Sequence, residues 1–133
     1  MQVSATPLEG LLVIETKLWR DARGAFVETY HQDRYREAGV AAAFVQDNFS
    51  WSEANVLRGL HYQLSRPQGK LVMVVEGRVF DVAVDIRAGS PTFGQWHGLE
   101  LSAENGRQLY IPSGYAHGFC VLSERAGFMY RCT

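Results

Sequence analysis

Between two apolar runs stands Arg58-Gly-Leu-His-Tyr-Gln-Leu-Ser-Arg-Pro-Gln-Gly-Lys70, with one histidine, two glycines and three cations in thirteen residues. His61 is the side chain here whose ordinary pKa lets it exchange a proton near neutrality. Lys70 opens the following run, Leu71-Val-Met-Val-Val75, and a hairpin here would bring its ammonium beside the imidazole. A base next to a fixed cation suits reactions in which a proton leaves and negative charge stays behind. Arg58 lies three residues before His61, and an ideal strand would aim the two at opposite faces. Gly59 between them is the expected place for a bulge that realigns them. A second glycine-centred segment, Pro112-Ser-Gly-Tyr-Ala-His117, supplies another imidazole.

The elements that must hold these groups are short. Leu11–Ile14 reads as a strand, Asp21-Ala-Arg-Gly24 as a turn, and Phe26–Tyr30 as strand again. Gln32–Ala38 is the single helix expected, with Gly39 as its stop. Further strands are predicted at Phe44–Phe49, Leu57–Leu64, Leu71–Glu76, Arg78–Arg87, Trp96–Leu101, Gln108–Ile111, Phe119–Leu122 and Gly127–Cys132. Gly77 separates two of them, Ala88–Gly94 is a loop, and Asn105-Gly106 is a tight turn. Within Arg78–Arg87 the alternation puts Phe80, Val82, Val84 and Ile86 on one face, the expected core face. Asp81 and Asp85 fall on the other, as the carboxylates placed to approach the pocket. Many short strands and one short helix make an all-β sandwich or barrel.

A chain of 133 residues is read as one domain. A net charge of -1 argues against nucleic acid or an anionic membrane as partner, and Leu11–Ile14 is too short to span a bilayer. Cys120 and Cys132 have no metal or redox spacing, which fits reduced thiols in the cytoplasm.

The two segments, P-x-G-x-x-H some fifty residues after a G-x-H, resemble the cupin double-stranded β-helix, or jelly roll. Metal-binding cupins place a second histidine and an acid in the first segment. Here those positions are Gln63 and Lys70, so no metal is expected.

With Asp21-Ala-Arg-Gly24, Phe44-Val-Gln-Asp-Asn48, Leu57-Arg-Gly-Leu-His-Tyr-Gln63, Gln68-Gly-Lys70, Ser90-Pro-Thr-Phe-Gly94, Ala116-His-Gly-Phe119 and Tyr130-Arg-Cys-Thr133 also in view, the chain resembles the dTDP-4-dehydrorhamnose 3,5-epimerases. The resemblance implies a cofactor-free isomerase acting on a dTDP-4-keto-6-deoxy sugar. In that reading His61 is the base, Lys70 steadies the enolate, and Tyr130 returns a proton from the opposite face. Arg23, Glu28, Gln46, Asp47, Asn48, Arg58 and His117 are implied to bind the nucleotide sugar. The resemblance further implies a homodimer, with residues 1–10 as a candidate exchange arm. Family members continue past the position of Thr133 with an aspartate behind the base histidine. The expectation is therefore a single cupin-like domain over 1–133 without that C-terminal extension. A sibling enzyme that inverts one carbon or moves the ketone, and a non-catalytic sugar-nucleotide binder, are the alternative functions.

Overall fold

Alternating apolar residues and closely spaced turns give twelve strands and one helix in the computed structural model, which describes Met1–Thr133. The strands are β1 (Gln2–Ala5), β2 (Leu12–Glu15), β3 (Leu18–Asp21), β4 (Gly24–Val27), β5 (Gln46–Glu53), β6 (Leu57–His61), β7 (Lys70–Glu76), β8 (Arg78–Asp85), β9 (Trp96–Ser102), β10 (Arg107–Ile111), β11 (Tyr115–Val121) and β12 (Arg125–Cys132); α1 is Gln32–Glu37. A six-stranded antiparallel sheet, β1-β2-β10-β7-β12-β5, faces a four-stranded one, β6-β11-β8-β9. This is the jelly roll, and β3–β4 is a separate hairpin.

The core lies between the sheets. Val72, Val74, Leu109, Ile111 and Phe128 of the larger sheet meet Val79, Leu101, Phe119 and Val121 of the smaller. Sheet faces about 10 Å apart leave room for one interdigitated layer of such side chains. A smaller cluster, Ile14, Tyr35, Val40 and Leu71, packs α1 onto the outer face of the large sheet. That second covering explains why Leu71–Val74 is an unbroken apolar run, since both faces of β7 are buried there. Tyr35 also donates to Gln108 Oε1 (2.9 Å), and burial pushes its phenol up to about 12. Gly77, at φ +71°, turns β7 into β8 where a β-carbon would collide with the Arg125 carbonyl.

One expected face is reversed. Phe80, Val82, Val84 and Ile86 are not the core face of β8: Val79, Asp81, Ala83 and Asp85 are fully buried, whereas Phe80 is 38% exposed. The aspartates tolerate the interior because each has partners. Asp81 is bonded to His117, and Asp85 accepts from Arg87, Ser90 and Thr92. Paired carboxylates thus share the interior face of β8 with Val79 and Ala83, and the apolar side chains of the alternation lie on the other face.

Smaller differences follow from pairing. The strand expected over Phe26–Tyr30 runs instead over Gly24–Val27, because β4 pairs with β3, a strand not foreseen. β11 begins at Tyr115, earlier than Phe119, so His117 sits inside a strand. Residues 1–10 contribute β1, which pairs antiparallel with β2 of the same chain. The apolar C-terminal run lies inside the large sheet, between β7 and the edge strand β5.

Candidate active site

The realignment of Arg58 and His61 is visible in the register of β6 against β11. His117 stands opposite His61 and Phe119 opposite Arg58, so three steps along β6 match two along β11. The extra residue is accommodated at Gly59, whose φ is +128°. The bulge lets both side chains reach the interior face, and both line one hollow.

Two adjoining hollows share His61, Lys70 and His117 as common wall. One, of about 340 Å³, is completed by residues including Gln63, Gln68, Ile111 and Tyr115. The other, of about 180 Å³, adds Ser50, Arg58, Phe119, Phe128 and Tyr130. Lys70 reaches both as the first residue of β7, held by its pairing with Ile111 and Cys132 on either side. Tyr130 arrives from β12, the next strand in the sheet. Phe119 and Phe128 stack at 4.2 Å to form an apolar floor. The ammonium, imidazole and phenol expected to do chemistry therefore converge on one cavity.

Arg58 is steadied by donating from Nε to Ser52 Oγ (2.9 Å), which holds the guanidinium along the cavity wall. His117 is 6% exposed, and its Nε2 lies 2.9 and 3.1 Å from the two oxygens of buried Asp81. His61, by contrast, is exposed. The Asp81 partnership was not read from the sequence. The available signal was a charge alternating with apolar residues on a central strand, opposite a second histidine-bearing strand.

The remaining expected ligand residues are placed differently. Asn48 lies directly opposite Tyr130, on the same face of β5 as Ser50, and Gln46 donates to its Oδ1. Neither Gln46 nor Asn48 lines the hollows. Asp47 points to the other face, 3.5 Å from Arg131, whose guanidinium lies over the Tyr30 ring. Arg23 is not brought to the hollow at all. It pairs with Asp21 at the hairpin tip and lines a separate depression with Trp19 and Phe26. Glu28 pairs with Arg34, also away from His61.

The common wall offers two imidazoles and an ammonium, and the Gln63 amide stands beside them in one hollow. Metal sites need more anionic or imidazole ligands than that, and no cation favours an ammonium neighbour. No three His, Cys, Asp or Glu side chains are grouped to hold an ion. Cys120 and Cys132 are free thiols, and burial pushes that of Cys132 up. No helix is long and apolar enough to cross a membrane.

Similarity to known proteins extends over nearly the whole chain. The sequence model of a family described as dTDP-4-dehydrorhamnose 3,5-epimerase matches residues 5–133. The enzyme of that description from Shigella flexneri is 57% identical over 133 residues, covering 98% of this chain and 74% of its own. That from Pseudomonas aeruginosa is 54% identical, covering 100% of this chain and 74% of its own. Among solved structures, a dTDP-6-deoxy-D-glucose-3,5-epimerase from Legionella pneumophila, in complex with dTDP-4-keto-L-rhamnose, superposes with a TM-score of 0.96 at 57% identity. That match covers 99% of this chain and 71% of the other.

Proposed function

The chain belongs to the dTDP-4-dehydrorhamnose 3,5-epimerase family, and from that premise we propose that it inverts carbons 3 and 5 of a dTDP-linked 4-keto-6-deoxyhexose. The reaction serves deoxysugar biosynthesis of the rhamnose type. The observation that supports this reading most strongly is the convergence of His61, Lys70 and Tyr130 on one hollow.

A ketone at carbon 4 acidifies the hydrogens on carbons 3 and 5, because the electrons left by a departing proton delocalise onto its oxygen. His61 takes the proton. The Lys70 ammonium faces the oxygen on which the enolate charge develops. Tyr130 returns a proton to the opposite face of the planar intermediate, which inverts the centre. Base and acid each contribute about a hundred- to ten-thousand-fold, and a fixed cation at the enolate contributes on a similar scale. The substrate's own ketone is the electron sink, so the chemistry asks for no cofactor. Arg58 suits the diphosphate, since guanidinium makes charge-assisted, often bidentate bonds to phosphate oxygens.

The working unit in this reading is a homodimer. Arg23 and Glu28 are implied by the family resemblance to bind substrate, and both lie outside the hollow of their own chain. The β3–β4 hairpin presents Arg23 beside a solvent-facing Trp19–Phe26 pair, a surface suited to stacking on a base and meeting phosphate in a second copy's pocket. The two free thiols fit a cytoplasmic protein.

The direct test is substrate-dependent incorporation of deuterium from heavy water at carbons 3 and 5, followed by mass spectrometry. Incorporation by the wild type that disappears in His61→Ala supports the reading. A wild-type protein that exchanges neither hydrogen overturns it.

A further inference from the structure

Two histidines stand side by side across β6 and β11, and only one of them has a carboxylate behind it. Asp81 is fully buried, and its side chain bonds to nothing except His117 Nε2. The two oxygens lie at nearly equal distances, 3.1 and 2.9 Å, as they would around a single N–H directed between them. A protonated carboxyl donating to the ring would bring one oxygen in and leave the other out. The geometry fits a shared hydrogen carried on Nε2. Nδ1 has no partner in the chain, although the ring lines both hollows. Phe128, stacked on the ring at 27° between planes, restrains its tilt.

We propose that Asp81 is a positioning residue for the sugar: by accepting the Nε2 hydrogen of His117 it presents Nδ1 as a hydrogen-bond acceptor to a hydroxyl of the hexose ring. An unsupported imidazole exchanges its two tautomers, and one of them would turn an N–H toward the hollow where an acceptor is needed. The buried carboxylate removes that choice, as outer-shell partners do for histidines in metal sites. The inference rests on the sugar-nucleotide reading above for the ligand, and on the apo geometry alone for the tautomer.

The test separates those two supports. Nitrogen-15 NMR of the His117 ring in the unliganded protein is expected to show hydrogen on Nε2 and none on Nδ1. The opposite tautomer overturns the proposal, whatever the enzyme's activity. Addition of dTDP-glucose, a sugar nucleotide without the reactive ketone, is expected to shift the Nδ1 resonance. Binding with no such shift overturns the proposal, whereas no binding at all counts against the sugar-nucleotide reading. In Asp81→Asn the carboxamide can turn its NH2 to Nε2 and favour the wrong tautomer. The expected loss in kcat/KM is about ten- to a hundred-fold, carried mainly by KM. In a His117→Asn background, Asp81→Asn is expected to add no further loss, because the two act as one unit. Additive losses, or an unchanged KM in a folded Asp81→Asn protein, overturn the assignment. Should that variant fail to fold, the wild-type tautomer and its response to dTDP-glucose decide the matter.

Discussion

Gly59 of β6 and Gly118 of β11 lie back to back so closely that neither strand has room for a β-carbon. One built on Gly59 would stand 2.6 Å from Gly118 Cα and 2.9 Å from the His117 carbonyl oxygen. One built on Gly118 would stand 2.6 Å from the Arg58 carbonyl oxygen. This contact seats the bulge, and the bulge carries both Arg58 and His61 into one hollow. The arrangement of the candidate base and the candidate phosphate ligand thus depends on two residues with no side chain.

Gly118→Ala therefore tests the scaffold of the site rather than its chemistry. The obstructing atoms are backbone and cannot swing aside, so the strands must part. We expect a loss of about 2–4 kcal/mol in urea unfolding, at the upper end of overpacking costs. Gly59→Ala adds the strain of a left-handed backbone at φ +128° and should lose more. In both variants that remain folded, ligand affinity and turnover should fall together, since Arg58 and His61 move as a pair. A folded Gly118→Ala protein with wild-type kcat and KM would show that the close approach does not set the site.

What the sequence disclosed, and what it did not, follows from what local patterns contain. The alternation in β8 identified a strand but not which face looks inward, because period two is symmetric between its faces. The deciding facts are non-local: Asp81 meets His117 from β11, and Asp85 meets Ser90 and Thr92 from the next loop. The bulge at Gly59 was legible because Arg58 and His61, three apart, both had work to do on one side. β3 escaped notice because Leu18-Trp-Arg-Asp21 has a single strongly apolar pair and gains its pairing only from β4. The placement of Arg23 and Glu28 away from the hollow had no local signature, since the spacing of residues does not say where the β3–β4 hairpin and the segment after it lie relative to β6.

The Asp85 cluster makes stability depend on acid. The Arg87 guanidinium donates twice to its carboxylate, the Arg87 backbone N–H once, and Ser90 and Thr92 once each, and together they hold it well below the usual carboxylate range against the opposing effect of burial. A depressed value in the folded state means the ionised form favours folding. The contribution is complete above the unfolded aspartate's value of about 4, and is lost as pH falls from there through the folded value. Chemical denaturation across this range should show wild-type stability dropping below about pH 4. Asp85→Asn should be less stable by about 2–4 kcal/mol at pH 7, as expected when one member of a buried ion pair is removed. It should also lose the part of the acid dependence that Asp85 supplies. Equal slopes for the two proteins in acid would contradict the assignment.

Lys70 and Tyr130 are predicted to fail in distinguishable ways. Lys70→Met keeps a similar apolar stem but removes the charge facing the enolate, so both exchange and epimerisation should slow about a hundred- to a thousand-fold in kcat. Tyr130→Phe leaves the base and cation intact. Deuterium should still enter the substrate in heavy water, while the inverted product becomes scarce, because reprotonation then comes from the side of His61. Comparing isotope uptake with product stereochemistry by proton NMR checks this. Loss of exchange in Tyr130→Phe equal to that in Lys70→Met would remove Tyr130 from the role of acid.

The shared-site reading makes the most restrictive prediction. Arg23 has a 90% exposed side chain whose hydrogen-bond partner is Asp21, yet Arg23→Ala is expected to raise KM about ten- to a hundred-fold, as for loss of a charge-assisted phosphate bond. His61→Ala is expected to abolish turnover. If each pocket takes Arg23 from one protomer and His61 from the other, a heterodimer of the two variants contains one pocket with both defects and one with neither. Co-refolding equal amounts then makes half the dimers mixed, which restores about one quarter of wild-type activity at low substrate. If both residues serve the pocket of their own chain, every pocket in every dimer carries one defect and mixing restores nothing. Steady-state assays of the co-refolded sample, against the two variants refolded separately and combined, distinguish the outcomes. Recovery near a quarter requires the hairpin to cross between subunits, and the absence of recovery in a sample shown to contain heterodimers excludes it.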